Sequence, residues 1–236
     1  MHFPRLVSYR FGKEGGRAVA YSPRGVHEAV VRDVYRRSVL PMILHVRGGE
    51  VLHASAVLAG SRSIAFCGGA GAGKSTIAFG LAQRGYVQLS DDSVPFVPTN
   101  GKVRTFSLPF AVRLRTDPAR YFDKPSKRTP PSLNDVLDGQ PGVDHPLGAL
   151  FVLDRSMPPA PMDIVSVSRL APGEFFTAVL PHAYCFSLQD PARKRRMVRH
   201  FLEVGSRVQT YRLRFRAGLR NLPAVLDRIE ETIERS

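Results

Sequence analysis

A glycine-rich loop between a predicted strand and a predicted helix carries the clearest chemistry in this chain. It fits the phosphate-binding pattern G-x-x-x-x-G-K-[ST] at every fixed position. Its residues are Gly68, Gly69, Ala70, Gly71, Ala72, Gly73, Lys74, Ser75 and Thr76. Glycines let backbone N–H groups approach phosphate oxygens, and the following helix N-terminus adds partial positive charge. We therefore expect this loop to bind nucleotide phosphates, with Lys74 on the β- and γ-phosphates and Ser75 on Mg²⁺.

Two adjacent acidic residues follow the loop at the end of the next predicted strand. Asp91 and Asp92 lie seventeen and eighteen residues after Lys74. A phosphate-binding loop needs a carboxylate on a neighbouring strand to hold Mg²⁺, directly or through water. A second carboxylate can accept a proton from an attacking hydroxyl. The alternative interpretation is an acidic pair that caps a helix or forms a turn.

A histidine lies on the predicted strand that comes before the one entering the loop. His53 falls within a predicted strand over residues 51–58, next to the predicted strand over 63–67 that enters the loop. A histidine there could belong to an active site, although a lone histidine on a strand is more often a hydrogen-bonded core residue.

Composition limits the classes of protein that this sequence can encode. The 236 residues are enough for one large domain, or for a domain with a small appendage. No apolar run approaches the length of a transmembrane helix, and residues 1–5 lack the apolar region of a signal peptide. Two cysteines provide no disulfide framework, so we expect a cytoplasmic protein with no membrane partner.

The charge is strongly basic, with 34 Lys and Arg against 20 Asp and Glu and a net charge of +14. Such a surface could attract nucleic acid, a nucleotide polyphosphate, or an acidic peptide or protein. No RRM, KH or zinc-finger pattern is present, so nucleic acid is the least favoured of these partners.

The remaining sequence predicts short strands and helices around this motif block. Strands are predicted at 5–11, 17–21, 86–90, 94–97, 103–106, 150–153, 164–167 and 211–215. Helices are predicted at 26–46, 76–85, 172–206 and 222–233. Pro41 should kink or split the first of these helices, and Pro181 and Pro191 should break the third. We expect residues 1–50 to form a small segment packed on a catalytic domain of residues 51–236.

Residues 116–147 are rich in Pro, Lys, Asp and Gly and predict a long loop, and loops of this length are usually functional. Six basic residues in or near it could contact phosphates or an acidic peptide, or could simply be solvated: Arg113, Arg115, Arg120, Lys124, Lys127 and Arg128.

The order of these motifs resembles a known family of kinases. Residues 52–57, 69–76, 83–86 and 89–92 resemble the catalytic domain of HPr kinase/phosphorylase. They are more similar still to short HPr-kinase-like proteins from peptide-natural-product clusters, including lasso-peptide kinases. The strong part covers residues 50–95, and the order histidine, phosphate loop, Arg-Gly, Asp-Asp is more specific than the loop alone.

The resemblance implies an α/β fold with a P-loop kinase core, in which helices flank a mixed central sheet, related to phosphoenolpyruvate carboxykinase. It also implies transfer of the γ-phosphoryl group of ATP, with Mg²⁺, to a serine hydroxyl of a peptide or protein. By position, Asp92 matches the proton acceptor, His53 an active-site histidine and Lys74 the phosphate-binding lysine. Ser75 and Asp91 fall on the metal side. The regulatory enzyme of this family is a hexamer, so a homo-oligomer is compatible with the resemblance.

Two departures from the family pattern bear on the acceptor. About fifty residues precede the motif block, where the regulatory enzyme has a separate domain, and residues 106–110 lack the metal-binding Glu of the second family signature. These departures favour a biosynthetic precursor peptide, of lasso type, over HPr. Three alternatives stay open: an HPr-like protein serine kinase, a small-molecule kinase, and a P-loop NTPase or nucleotide-binding regulator that is not a kinase.

Overall fold

Short elements at the N-terminus precede the main sheet. The computed structural model describes residues 1–12, 17–99, 101–108, 110, 114–122, 144–155, 163–185 and 189–235. The N-terminal elements are β1 (His2–Phe3), β2 (Val7–Arg10), β3 (Val19–Tyr21), α1 (Glu28–Val34), a π-helical segment (Tyr35–Val39) and α2 (Leu40–Val46). Pro41 occupies the first turn of α2, and the helical run continues from Glu28 to Val46 without a break, with the π-helical segment directly before that turn.

Within the described residues, nine strands form one mixed sheet. The strands are β4 (Glu50–Leu52), β5 (Ala54–Ala59), β6 (Arg62–Gly68), β7 (Val87–Ser90), β8 (Val94–Thr99), β9 (Lys102–Phe106), β10 (Asp144–Asp154), β11 (Val165–Arg169) and β12 (Gln209–Phe215). The helices are α3 (Lys74–Gln83), α4 (Thr116–Phe122), α5 (Pro172–Val179), α6 (Pro191–Arg207) and α7 (Leu222–Glu234). The expected α/β architecture, a mixed sheet flanked by helices, is therefore observed.

Strand β10 is the longest strand and connects the two parts of the sheet. Its first residues pair antiparallel with β9, and its later residues pair in parallel with β6 and β12. The sheet order is β4-β8-β9-β10-β6-β5-β7, with β12 also beside β10 and β11 beside β12. Because Leu153 is in register with Gly68, the phosphate loop leaves β6 beside the carboxyl end of β10. That edge of an α/β sheet is where ligands usually bind.

Alternate side chains of β6 point into two different hydrophobic clusters. Ile64 and Phe66 pack toward α3 and α7, whereas Ala65 and Cys67 pack toward α5 and α6. Phe66 stacks on Phe151 of β10, with ring centroids 5.6 Å apart. The strand that enters the phosphate loop is therefore buried on both faces, which fixes the base of the loop.

Two secondary-structure predictions are wrong in detail. The predicted strand over 51–58 is broken at His53, because β4 pairs with β8 whereas β5 pairs with β6 and β7. The predicted loop over 116–147 begins with helix α4 and ends in strand β10. Residues 123–143 lie outside the described residues, as do Arg113, Lys124, Lys127 and Arg128 of the basic set.

The N-terminal elements have a small hydrophobic cluster of their own, formed by Val7, Tyr9, Val39 and Ile43. The proposed division of the chain at residue 50 stays a prediction. No helix in the described part of the chain is long and apolar enough to cross a membrane.

A buried ion pair joins α6 to the start of the main sheet. Arg193 donates to both carboxylate oxygens of Glu50, at 2.6 and 2.8 Å, and His200 lies 2.9 Å from the same carboxylate. Arg193 also donates to the backbone oxygen of Gly49 at 2.7 Å. Burial raises the pKa of Glu50, but the hydrogen bonds from His200 and Arg193 outweigh burial, and the pKa is lowered.

Arg193→Met is expected to destabilise the protein by about 3–5 kcal/mol, because it leaves the Glu50 carboxylate buried without its main partner. Urea unfolding at pH 7 measures the change, and Arg195→Met, at an exposed position of the same helix, is the matched control. Because the pKa of Glu50 is lower in the folded protein than in the unfolded chain, its stabilising effect is present above the unfolded-state pKa and is lost as the pH falls. The difference in unfolding free energy between the wild type and Arg193→Met should therefore shrink below about pH 4. A pH-independent loss, or a loss equal to that of the control, would contradict this role.

Candidate active site

The phosphate loop leaves β6 in a conformation that requires glycine at two positions. At Gly68 a Cβ atom would lie 2.9 Å from the backbone oxygen of Leu153, too close for any side chain. Gly73, the residue before α3, has a φ of +107°, which L side chains rarely adopt. The backbone oxygen of Gly73 accepts the N–H of Ile77 at 2.9 Å and so begins the helix. The pattern identified in the sequence therefore has a strand, a tight loop and a helix around it.

Lys74 lies inside the loop and is only 6% exposed. Its ammonium donates to the backbone oxygens of Gly68, at 2.9 Å, and Gly69, at 3.2 Å. Burial lowers the pKa of Lys74, and the charges of Asp92, Cys67 and Asp91 oppose that shift. The ammonium group is thus held against the backbone of the loop. Both acidic residues of the second motif are close enough to raise its pKa.

Asp91 is buried and is held by two serines. Its Oδ1 accepts the Ser75 hydroxyl at 2.8 Å and the Ser55 hydroxyl at 2.6 Å. Burial raises the pKa of Asp91, and the two serine hydrogen bonds act in the opposite direction. The contact with Ser75 joins the two sequence motifs directly. Ser55 is part of the resembling segment but has no signal of its own in the sequence.

Asp92 has a different environment from its neighbour. Its side chain is partly exposed, and its Oδ2 lies 3.1 Å from Nη2 of Arg37. Its backbone φ is +66°, an unusual value for a residue other than glycine. Its backbone oxygen accepts hydrogen bonds from Nδ1 of His53, at 3.0 Å, and from the Tyr184 hydroxyl, at 3.3 Å. The two adjacent carboxylates are therefore separated into a buried one and an accessible one.

His53 lies at the break between β4 and β5 rather than inside a strand. Its backbone N–H donates to the oxygen of His182 at 2.7 Å, and its ring meets the Tyr184 ring edge-on at 6.2 Å. Since Nδ1 contacts the backbone oxygen of Asp92, His53 does not contact the Asp92 carboxylate through that nitrogen. The structure thus brings His53 to Asp92, but through the backbone.

A cleft of about 640 Å³ collects most of the predicted site residues. It is lined by His53, Ala70, Gly71, Ala72, Gly73, Lys74, Ser75, Thr76 and Asp92 among others. Asp91 lies behind Ser75, and Gly69 borders a neighbouring cavity of about 620 Å³. Apolar side chains, including Phe215 and Leu222, line another part of the cleft. The cleft therefore joins the glycine-rich loop to an apolar wall.

Two arginines approach the tip of the loop, and only one belongs to the basic set singled out in the sequence. Arg155 donates to the backbone oxygen of Gly71 at 3.0 Å, and its guanidinium lies 5.9 Å from the centre of the Phe215 ring. Arg115, at the start of α4, lies beside the same glycine. Arg120 is exposed on α4 and is not among the residues that line the cleft. Arg155 follows β10 directly and was missed, because nothing in its sequence context marks it.

The side-chain oxygens that could bind a metal ion suit a hard cation, but there are few of them. In the described residues, no cluster of three or more His, Cys, Asp or Glu side chains could hold a metal ion. Ser75 and Asp91 provide only oxygen donors, which is the chemistry that Mg²⁺ prefers. Mg²⁺ bound at nucleotide phosphates usually takes one or two protein ligands, with phosphate oxygens and water completing its shell. The residues therefore fit a Mg²⁺ ion that arrives with a nucleotide.

The cysteine just before the loop is expected to be chemically inert. Burial raises the pKa of Cys67 to about 12, against the effect of Lys74. Its thiolate fraction at pH 8 would then be about 10⁻⁴, so iodoacetamide should label Cys185, which is half-buried, and leave Cys67 unlabelled. Peptide mass spectrometry after native and denatured labelling measures both sites. Equal labelling of the two cysteines in the native protein would contradict the buried environment of Cys67.

Comparisons with known proteins add little to this geometry. No family model matches the chain, and no curated protein sequence matches it. Among solved structures, the chain is similar to the Hpr(Ser) kinase/phosphatase from Coxiella burnetii, with 16% sequence identity and a TM-score of 0.40. The match covers 78% of this chain and 92% of that one. A TM-score this low carries no argument about function.

Proposed function

We propose that this protein is an ATP- and Mg²⁺-dependent kinase that transfers the γ-phosphoryl group to a serine hydroxyl of a peptide. The observation that carries the proposal is the contact between the two motifs, in which the Ser75 hydroxyl donates to Asp91 at 2.8 Å. That contact brings the phosphate-loop helix to the strand end where Asp92 lies. The glycine-rich loop and an accessible carboxylate line one cleft, which supports the proposal.

In the proposed reaction the loop N–H groups and Lys74 bind the β- and γ-phosphates. The two backbone oxygens that now accept from Lys74 would give way to phosphate oxygens, which are stronger partners for an ammonium group. Ser75 and Asp91 would hold Mg²⁺, which when bound supplies positive charge to the phosphates. The role of these residues is to position the phosphates and to neutralise charge.

Asp92 would act on the acceptor. Its carboxylate orients the serine hydroxyl and takes its proton as the serine oxygen bonds to the γ-phosphorus. The bond between the γ-phosphorus and the bridging oxygen breaks, and ADP leaves with that oxygen. The partial exposure of Asp92 supports this role, because an acceptor must reach the carboxylate from the cleft.

The class of acceptor is proposed from the sequence motifs. Their similarity to short HPr-kinase-like proteins points to a serine of a biosynthetic precursor peptide of lasso type. An HPr-like protein and a small-molecule alcohol are the competing acceptors, and each gives a different product in the same assay.

The proposal is tested by incubating the protein with Mg²⁺ and ATP in the presence of a pool of serine-containing synthetic peptides, purified HPr and small alcohols. Mass spectrometry of each acceptor reads the addition of one phosphate group. We expect phosphate on a peptide serine and none on the matched Ser→Ala peptides. Nucleotide hydrolysis with every acceptor unmodified, or selective use of GTP without transfer, would contradict a kinase and favour an NTPase.

A further inference from the structure

Three side chains from outside the phosphate loop converge on Asp92. They come from separate parts of the chain: Arg37 from the π-helical segment, His53 from the β4–β5 break, and Tyr184 from the segment before α6. They contact different atoms of one residue. His53 and Tyr184 contact its backbone oxygen, whereas Arg37 contacts its carboxylate.

The two backbone contacts hold Asp92 in a conformation that a chain rarely adopts. Its φ of +66° places it in the left-handed region, where a residue other than glycine persists only if its surroundings fix it. The hydrogen bonds from Nδ1 of His53 and from the Tyr184 hydroxyl provide that constraint, at 3.0 and 3.3 Å. They fix where the Asp92 backbone lies and leave the direction of its carboxylate undetermined.

The direction of the carboxylate is set by Arg37. Its Nη2 lies 3.1 Å from Oδ2 of Asp92, and its Nε lies 3.3 Å from Oδ1 of Asp33 on α1. The second contact restrains the guanidinium, so the arginine is itself oriented. Both Arg37 and Asp92 line the cleft. The Asp92 side chain is 26% exposed, so an acceptor can reach its carboxylate from the cleft.

We propose that Arg37 is a positioning residue for phosphoryl transfer, which holds Oδ2 of Asp92 so that Oδ1 meets the acceptor hydroxyl. This inference rests on the proposed function. It assigns part of the active site to the N-terminal elements, which lie outside the motif block. A guanidinium suits the task because its nitrogens form a rigid, planar fork, which contacts Asp33 and Asp92 at once through different nitrogens. A lysine ammonium is a single charged atom on a flexible stem and has no such fixed fork.

The test compares Arg37→Gln, Arg37→Lys and the matched control Arg36→Gln, whose arginine lies on the same π-helical segment. With the peptide found in the acceptor assay, kcat of Arg37→Gln should fall about 10- to 100-fold, because a small misplacement of a reacting group has effects of this size. KM for ATP should change less than about twofold, since Arg37 does not contact the phosphate loop. Arg37→Lys should recover part of the lost kcat, and Arg36→Gln should match the wild type.

Two outcomes would overturn the role of Arg37. One is a kcat for Arg37→Gln within twofold of the wild type, and the other is an equal loss in Arg36→Gln. If the wild type modifies no acceptor, the proposed function fails, and the pairing is then read separately by urea unfolding. Non-additive midpoint shifts of Arg37→Gln and Asp92→Asn in a double-mutant cycle support the pairing, whereas additive shifts contradict it.

Discussion

Asp92→Asn is expected to abolish phosphoryl transfer while ATP binding persists. The amide has the shape of the carboxylate but cannot take the proton of the acceptor, and positioned proton acceptors contribute about 10²–10⁴-fold to rate. Asparagine also tolerates the left-handed backbone, so the φ of +66° should not by itself unfold the variant. Transfer of radioactive phosphate from ATP measures the loss, and calorimetric titration with ATP measures the binding.

Asp117→Asn is the matched control for this substitution, because Asp117 lines the same cleft on α4 without being part of either motif. It should leave the transfer rate near that of the wild type. Full transfer activity in Asp92→Asn would contradict the assignment of the proton acceptor. An equal loss of ATP binding and transfer would instead place Asp92 on the nucleotide side of the cleft.

Lys74→Met should lower kcat by at least about 10²–10³-fold, the size of effect that follows loss of one positioned charge on a transition state. Methionine keeps most of the volume of a side chain that is 6% exposed, so the change removes charge with little disturbance of packing. The variant should also bind ATP more weakly than Asp92→Asn does. The same two assays measure both effects.

Lys194→Met, at an exposed position on α6, is the control for loss of one positive charge from a strongly basic protein. It should leave transfer and ATP affinity unchanged. Wild-type kinetics in Lys74→Met would contradict a phosphate-binding role for the loop. A loss of similar size in both lysine variants would indicate that net charge, and not the loop, attracts the nucleotide.

The sequence was sufficient for the parts of the site that depend on local structure. The loop, the start of α3 and the end of that helix at Gly85 follow from glycine positions and apolar spacing within about twenty residues. The ends of the short strands around them were also predicted closely, because each is bounded by a turn. The predicted strands over 51–58 and 63–67 are joined by a tight turn, with Ala59 of β5 in register with Arg62 of β6.

The contacts made over long sequence separations could not be read from the sequence. Arg37 is fifty-five residues from Asp92, and Tyr184 is ninety-two residues from it, so no local pattern links these residues. The break at His53 has the same origin, since residues 51–58 are mostly apolar and contain no Gly or Pro that would mark the end of a strand. The run divides only because β4 and β5 pair with different partner strands.

Following the γ-phosphate of ATP is the most direct test of the central claim. The wild type, Lys74→Met and Asp92→Asn are each incubated with ATP labelled at the γ-phosphate, Mg²⁺ and the serine peptide pool, and label is counted in peptide and in free phosphate. The account predicts label on a peptide serine with the wild type, and at least about 10²-fold less with either variant. Label that accumulates only as free phosphate, or that reaches the peptide equally in all three proteins, would contradict it.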